Sequence, residues 1–196
     1  MKKKNAIGAL VMAAMLLISV PLGAVRSFER LREDALEPYY YDSTGYALYE
    51  GLEKQREAAQ NLLTVAKRYQ DSEPELGSYI DDLTWRADHS EVFYDPGSPS
   101  EVLTYQTMCD SAERLAEKLE EITLSEKDEK YPRQLISQIR SEQDKLERSS
   151  YNVGAREYNQ KLDSFFLPLR DLGWSEPLGV FDEPAVSDVI ELSDVK

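Results

Sequence analysis

Two long stretches of the chain place apolar or small side chains at alternating intervals of three and four residues, and this periodicity constrains the fold more than any other feature. In the first stretch Leu48, Leu52, Gln55, Ala59, Leu62, Ala66 and Tyr69 fall on one stripe. In the second, Val102, Tyr105, Cys109, Ala112, Ala116, Leu119 and Ile122 do the same. A stripe of this kind is the seam of a helix packed lengthwise against others. No segment shows the period-two alternation of a half-buried strand. The spacing therefore predicts an all-α protein, a long antiparallel helical bundle.

The punctuation between the seams fits that reading. Asp71 to Pro74 ends the first helix, and a shorter one is expected from Glu75 to about Ala87, with Leu76, Ile80 and Leu83 inward. Tyr94 to Pro99 is the clearest turn, with Ser98 and Pro99 supplying the cap and first turn of the next helix. Cys109, on the apolar stripe, is expected to be a buried, inert thiol. Ser125 with Asp128 resembles a capping arrangement. One long final helix is predicted from Tyr131 to about Phe166, with Leu135, Ile139, Leu146 and Val153 on its buried edge and a close helix contact at Gly154. After Pro168 the chain reads as an extended tail, in which Gly173-Trp174 and Val180-Phe181 pack onto the bundle.

The N-terminus is of a different kind. Lys2, Lys3 and Lys4 precede a charge-free run from Ala6 to Val25, about the length that crosses a hydrocarbon core as a helix. Pro21, Gly23 and Ala24 at its end also suit a cleaved secretory signal. The run is read as a retained single-pass anchor, with secretion the alternative if it is cleaved. The three lysines favour a domain outside the cytoplasm, against the pull of Arg26, Arg30 and Arg32. Pro38 to Gly45 is expected to form a loop that uncouples the anchor from the bundle. Four segments result: 1–25 anchor or signal, 26–45 juxtamembrane helix and loop, 46–183 bundle with packed tail, and 184–196 acidic mobile tail.

Asp and Glu number 37 against 23 Lys and Arg, a formal charge of −14 that gives nucleic-acid binding no electrostatic support. One cysteine and one histidine exclude an intramolecular disulfide and a Cys/His zinc site. Asp81, Asp82, Asp88, His89 and Glu91 are the most metal-like set, and they read as ordinary polar residues near a helix end. No cofactor is expected.

Near the C-terminus Tyr151-Asn152 and Tyr158-Asn159 repeat at seven residues, with Arg156 between them. Asn is a poor helix former, so these side chains are expected to bond something specific. Latching the C-terminal tail is one role and contact with a partner or ligand is the other. Tyr151-Asn152, Ala155-Arg156, Tyr158-Asn159, Phe165 or Phe166, Gly173-Trp174 and Phe181 together resemble the C-terminal signature of the LemA family. Leu52 to Arg56, Asn61 to Leu63, Val65 and Lys67 to Tyr69 resemble that family's first helix. Gln60 stands where the family carries Pro, and the break at 38–45 is not part of its pattern. The resemblance implies a bacterial membrane protein with a long helical bundle and supplies no catalytic residues. The expected function is a membrane-tethered, non-enzymatic scaffold or interaction module that binds a protein partner. An extracytoplasmic sensor or ligand-binding bundle is the alternative, and a metal-dependent enzyme ranks third.

Overall fold

The computed structural model describes residues 2–41, 45–90, 95–165, 170, 172–173 and 175–182, with side chains in the first helix at Met12, Met15 and from Ser19 onward. Glu91, Tyr94, Phe166, Pro168, Trp174, most side chains of the apolar run and the acidic tail 184–196 lie outside the described residues. All regular structure among the described residues is helical: α1 (Lys2–Tyr40), α2 (Leu48–Ala66), α3 (Gly77–His89), α4 (Pro99–Glu120), α5 (Tyr131–Glu147) and α6 (Ser150–Ser164), with a 3₁₀ turn at Pro74–Leu76.

Helices α2 to α5 form an up-and-down body. Contacts across each pair run in opposite numerical order, which makes neighbours antiparallel. Gln55 of α2 donates to Gln143 of α5 at 3.1 Å, while Arg68 beyond the other end of α2 donates to Asp128 before α5 at 2.6 Å. Ser111 of α4 meets Asp82 of α3, and Tyr105 reaches back to the carbonyl of Ser90. Leu48, Leu52, Ala59, Leu62 and Ala66 of the first seam are fully buried, as are Ala112 and Leu119 of the second. Burying each Leu contributes about 1.5–3 kcal/mol. Met108 and Leu115 are also fully buried, so the α4 stripe is wider than the seam alone.

Cys109 sits at the edge of that stripe, half-buried rather than buried. The α4 face turns Met108 fully inward and leaves its neighbour at the margin. Desolvation still pushes the Cys109 thiol up to about 12, with Asp110 and Glu113 adding to the effect.

Helices α1 and α6 form a second antiparallel layer. Phe28 lies edge-on to Tyr158 and Phe165, with centroids 6.3 and 5.1 Å apart, and Tyr39 lies edge-on to Tyr151 at 6.0 Å. Ala24, Phe28, Ala35 and Tyr39 are the buried positions among the described side chains of α1, spaced by one or two helical turns along one stripe. A Cβ on Gly154 would lie 3.5 Å from the Ala35 backbone, an ordinary contact distance.

Two expectations about breaks are corrected. The chain does not leave the helix at Pro38; α1 contains both Pro21 and Pro38 and continues to Tyr40. Pro38 removes one backbone donor, but Tyr41 N still donates to Glu37 O at 2.8 Å, and Tyr39 is held by tertiary contacts. The end of α1 is therefore joined to the body by packing on α6, and residues 42–44 of the expected loop lie outside the described residues. The long final helix, by contrast, is two. Ser149 is extended at φ −64°, ψ 142° and accepts from Tyr151 N, which caps a new helix after Arg148. The break resets the stripe, so Val153, expected on the buried edge, is 57% exposed. No helix among the described residues is long and apolar enough to cross a membrane.

Candidate functional site: the α6 groove and the tail that fills it

The polar side chains singled out near the C-terminus converge on one extended segment, residues 176–182. Ser149 starts α6 so that Tyr151, Asn152, Ala155, Tyr158 and Leu162 form its buried stripe. The tail runs back along that stripe, antiparallel to the helix. Tyr158 Oη donates to Glu176 O at 3.0 Å. Asn159 binds residue 178 twice, donating Nδ2–H to Leu178 O at 2.7 Å and accepting Leu178 N–H on Oδ1 at 2.8 Å. Asn152 Oδ1 accepts Phe181 N–H at 2.9 Å. Arg156 forms an ion pair with Asp182.

Asn152 has a second task. Its Nδ2 donates to the carbonyls of Leu146 and Glu147 at 2.8 and 3.0 Å, at the end of α5 where helical N–H donors run out; Leu146 O also accepts Ser149 N–H at 3.1 Å. One side chain thus caps α5, rides in α6 and holds the tail. Leu178 and Phe181 are buried to 2% and 1% exposure, and Phe181 lies 6.0 Å from the Tyr151 ring.

Beside this groove, four elements meet around Gly97. Its carbonyl accepts Gly179 N–H at 2.7 Å and the Tyr151 hydroxyl at 3.2 Å; the same hydroxyl lies 3.0 Å from Gly179 O. Gly97 sits at φ +74°, and a Cβ there would press on Tyr151 Oη and Leu36 Cδ2, so both backbone and space demand glycine. Its N–H donates to Glu101 Oε2 at 2.6 Å, while Tyr39 Oη donates to Glu101 Oε1 at 2.6 Å. Glu101 is 3% exposed. Burial raises its carboxyl above the ordinary range, opposed by the bonds from Tyr39 and Gly97. Desolvation, reinforced by Glu101, raises the Tyr39 hydroxyl as well. Arg32 adds an ion pair to Asp95 and a 3.3 Å bond to Pro96 O, fastening α1 to the turn before α4.

Sequence reasoning did not single out Glu101, and it read Tyr39 only as part of the Tyr39 to Tyr41 run, either at a membrane interface or in a loop packed against the bundle end. Glu101 carried a legible signal, since Ser98-Pro99-Ser100-Glu101 has the capping-box spacing. Ser98 Oγ accepts Glu101 N–H at 3.2 Å, but the Glu101 carboxylate reaches one residue further back than the usual box, to Gly97 N. Tyr39 carried no signal for this bond, because Glu101 lies 62 positions away and Tyr151 lies further still.

Of the metal-like set, Glu91 lies outside the described residues, and Asp82 and His89 are engaged elsewhere. Asp82 bonds Ser111 and Arg86, and His89 Nδ1 lies 2.7 Å from Trp85 O with its ring stacked on that indole. Among the described residues no group of three or more His, Cys, Asp or Glu is placed to hold a metal ion. The class of protein this geometry defines is a helical bundle closed by its own C-terminal segment. Comparison with protein-family models, curated protein sequences and solved structures yields no match.

Proposed function

We propose that the chain is a membrane-tethered, non-enzymatic helical-bundle protein of the LemA type, a scaffold that holds a binding surface for a protein partner near a bacterial membrane. The observation that carries this reading is the employment of its most elaborate polar site. Tyr39, Glu101, Tyr151, Asn152, Tyr158 and Asn159 all bond groups of the chain itself, and each of those bonds positions a helix or the tail. The continuity of α1 supports a particular form of tether. The helix that begins at Lys2 is the one whose Phe28, Ala35 and Tyr39 pack into the bundle, so the apolar run holds the body stiffly. The lysines before that run favour a body outside the cytoplasm. Fractionation of cells with protease accessibility tests the proposal. Full-length chain in the membrane pellet, with its body cleaved by external protease once the outer barrier is opened, is expected. Recovery only as a processed, soluble chain removes the tether.

One observation favours a second reading, a ligand-binding bundle. A cleft of about 370 Å³ is lined by Tyr39, Tyr40, Tyr49, Glu53, Arg56 and Glu101, a size and chemistry that suit a small molecule. A thermal-shift screen yielding a hit that is lost on Tyr49→Ala would support it.

A further inference from the structure

The bonds between groove and tail read main chain rather than side chains. Along residues 176–181 the carbonyls of 176, 178, 179 and 181 and the N–H groups of 178, 179 and 181 are each bonded by a group of the body. Extended peptides are recognised in this way, by polar side chains pairing with the backbone and pockets taking alternate side chains. The Asn152–Asn159 spacing of seven residues is about 10.5 Å along a helix, which matches the three-residue step from Leu178 to Phe181 in an extended chain.

The groove also selects. Leu178 and Phe181 fill apolar pockets, and Asp182 meets Arg156. A Cβ at Gly179 would collide with Val102 Cγ2 and lie 2.9 Å from Ser98 O and 3.1 Å from Pro99 Cα, so only glycine passes there. The pattern read is Leu-Gly-x-Phe-Asp. None of these contacts depends on how the segment is joined to α6. Ten residues, 166–175, separate Phe165 from Glu176, and an extended stretch of that length spans up to roughly 35 Å. That reach covers an adjoining copy whose α6 packs alongside at the usual interaxial distance of roughly 10 Å.

We infer that the groove of α6 is an exchangeable peptide site whose occupant in trans is segment 176–182 of a second copy of this chain, so that neighbouring copies associate by trading tails. This names a partner for the body and does not depend on the membrane tether.

Two full-length variants separate the halves of the site. Gly179→Val spoils the segment and leaves the groove intact. Tyr158→Phe with Asn159→Ala spoils the groove, removing bonds to residues 176 and 178, and leaves the segment intact. In mild detergent each alone is expected to scatter light as one chain, while an equimolar mixture gives a one-to-one complex of twice that mass. A mixture that behaves as the sum of two single chains, with both helical by circular dichroism, overturns the inference. If either variant loses its helicity, the wild-type chain and a synthetic peptide of residues 175–182 with a photoreactive group at Val180 decide the matter. Crosslinks within Arg156–Ser164 of α6 support exchange; crosslinks elsewhere, or none, overturn it. Membrane extraction plays no part in either readout, so failure here leaves the tether standing.

Discussion

Glu101 is the residue on which most of the junction turns. It satisfies a backbone N–H and a tyrosine hydroxyl in a dry site, and its raised pKa means that the folded chain holds this proton more tightly than the unfolded chain does. Where the folded state binds more protons, stability falls as pH rises. The Glu101 contribution is therefore most favourable at and below the ordinary carboxylate range, and it declines as pH climbs through the raised value. Urea denaturation of Glu101→Gln should show it at least as stable as wild type at pH 7, with the difference closing toward pH 4. Glu101→Ala should instead lose about 1–3 kcal/mol for each buried group it orphans, the Tyr39 hydroxyl and Gly97 N–H. Asn152 separates in another way. Asn152→Asp keeps an acceptor for Phe181 N–H but loses the donor to Leu146 and Glu147. A cost of about 2–4 kcal/mol in chemical denaturation is expected, because a carboxylate then faces two carbonyls. A cost under 0.5 kcal/mol, roughly that of an ordinary surface change, would show that the α5 cap is dispensable.

At the scale of elements the informative contrast is between two proline-and-loop regions. α2 ends at Ala66, five residues before the Asp71 to Pro74 break that its composition suggests, and the turn that follows it is fastened by Asp128. That carboxylate accepts from Tyr69 at 2.8 Å, Ser125 at 3.1 Å and Arg68 at 2.6 Å, and the Tyr69 bond leads in pulling its pKa below the usual value. A depressed pKa contributes stability above the unfolded value that is lost as pH falls through the folded one. Asp128→Asn should lower stability at neutral pH and flatten the acid limb below about pH 4, read by thermal melts across pH 2–6. Pro38 behaves otherwise, because Tyr39 gains a buried carboxylate and three aromatic neighbours by staying helical. Ser149, with no Pro or Gly beside it, breaks a helix because its own hydroxyl and the Asn152 amide satisfy the groups that the break exposes. Removing the aromatic lock between α1 and α6 by Phe28→Ala should cost about 3–5 kcal/mol and raise amide hydrogen exchange in α6 before it does so in α2.

For the whole molecule, the join between anchor and body decides how the proposed tether acts. Spin labels at Arg26 and Glu57, both exposed, should give one narrow distance distribution, since α1 is packed on α6 through four turns. A broad distribution would restore the flexible connection that Pro38 suggests. The two heptad stripes, the turn at 95–99, the cap at Ser98 and the first-turn Pro132 were legible in the chain, because each depends on neighbours within about four residues. The pairs Tyr151-Asn152 and Tyr158-Asn159 were legible as residues with a specific task. That Asn152 and Asn159 read the backbone of 178 and 181 was not, since their bonds cross nineteen and twenty-nine positions. The local sequence by itself determined an acidic helical chain with a basic, apolar N-terminus. Only the tertiary structure decided that α1 passes through Pro38, that the last helix breaks at Ser149, and that the tail closes the groove. At Pro38 and along the tail, buried hydrogen bonds or aromatic contacts from distant elements outweigh a local propensity of about 1–3 kcal/mol; at Ser149 the deciding bonds are short-range, to Tyr151 N–H and from the Asn152 amide that the tail also holds.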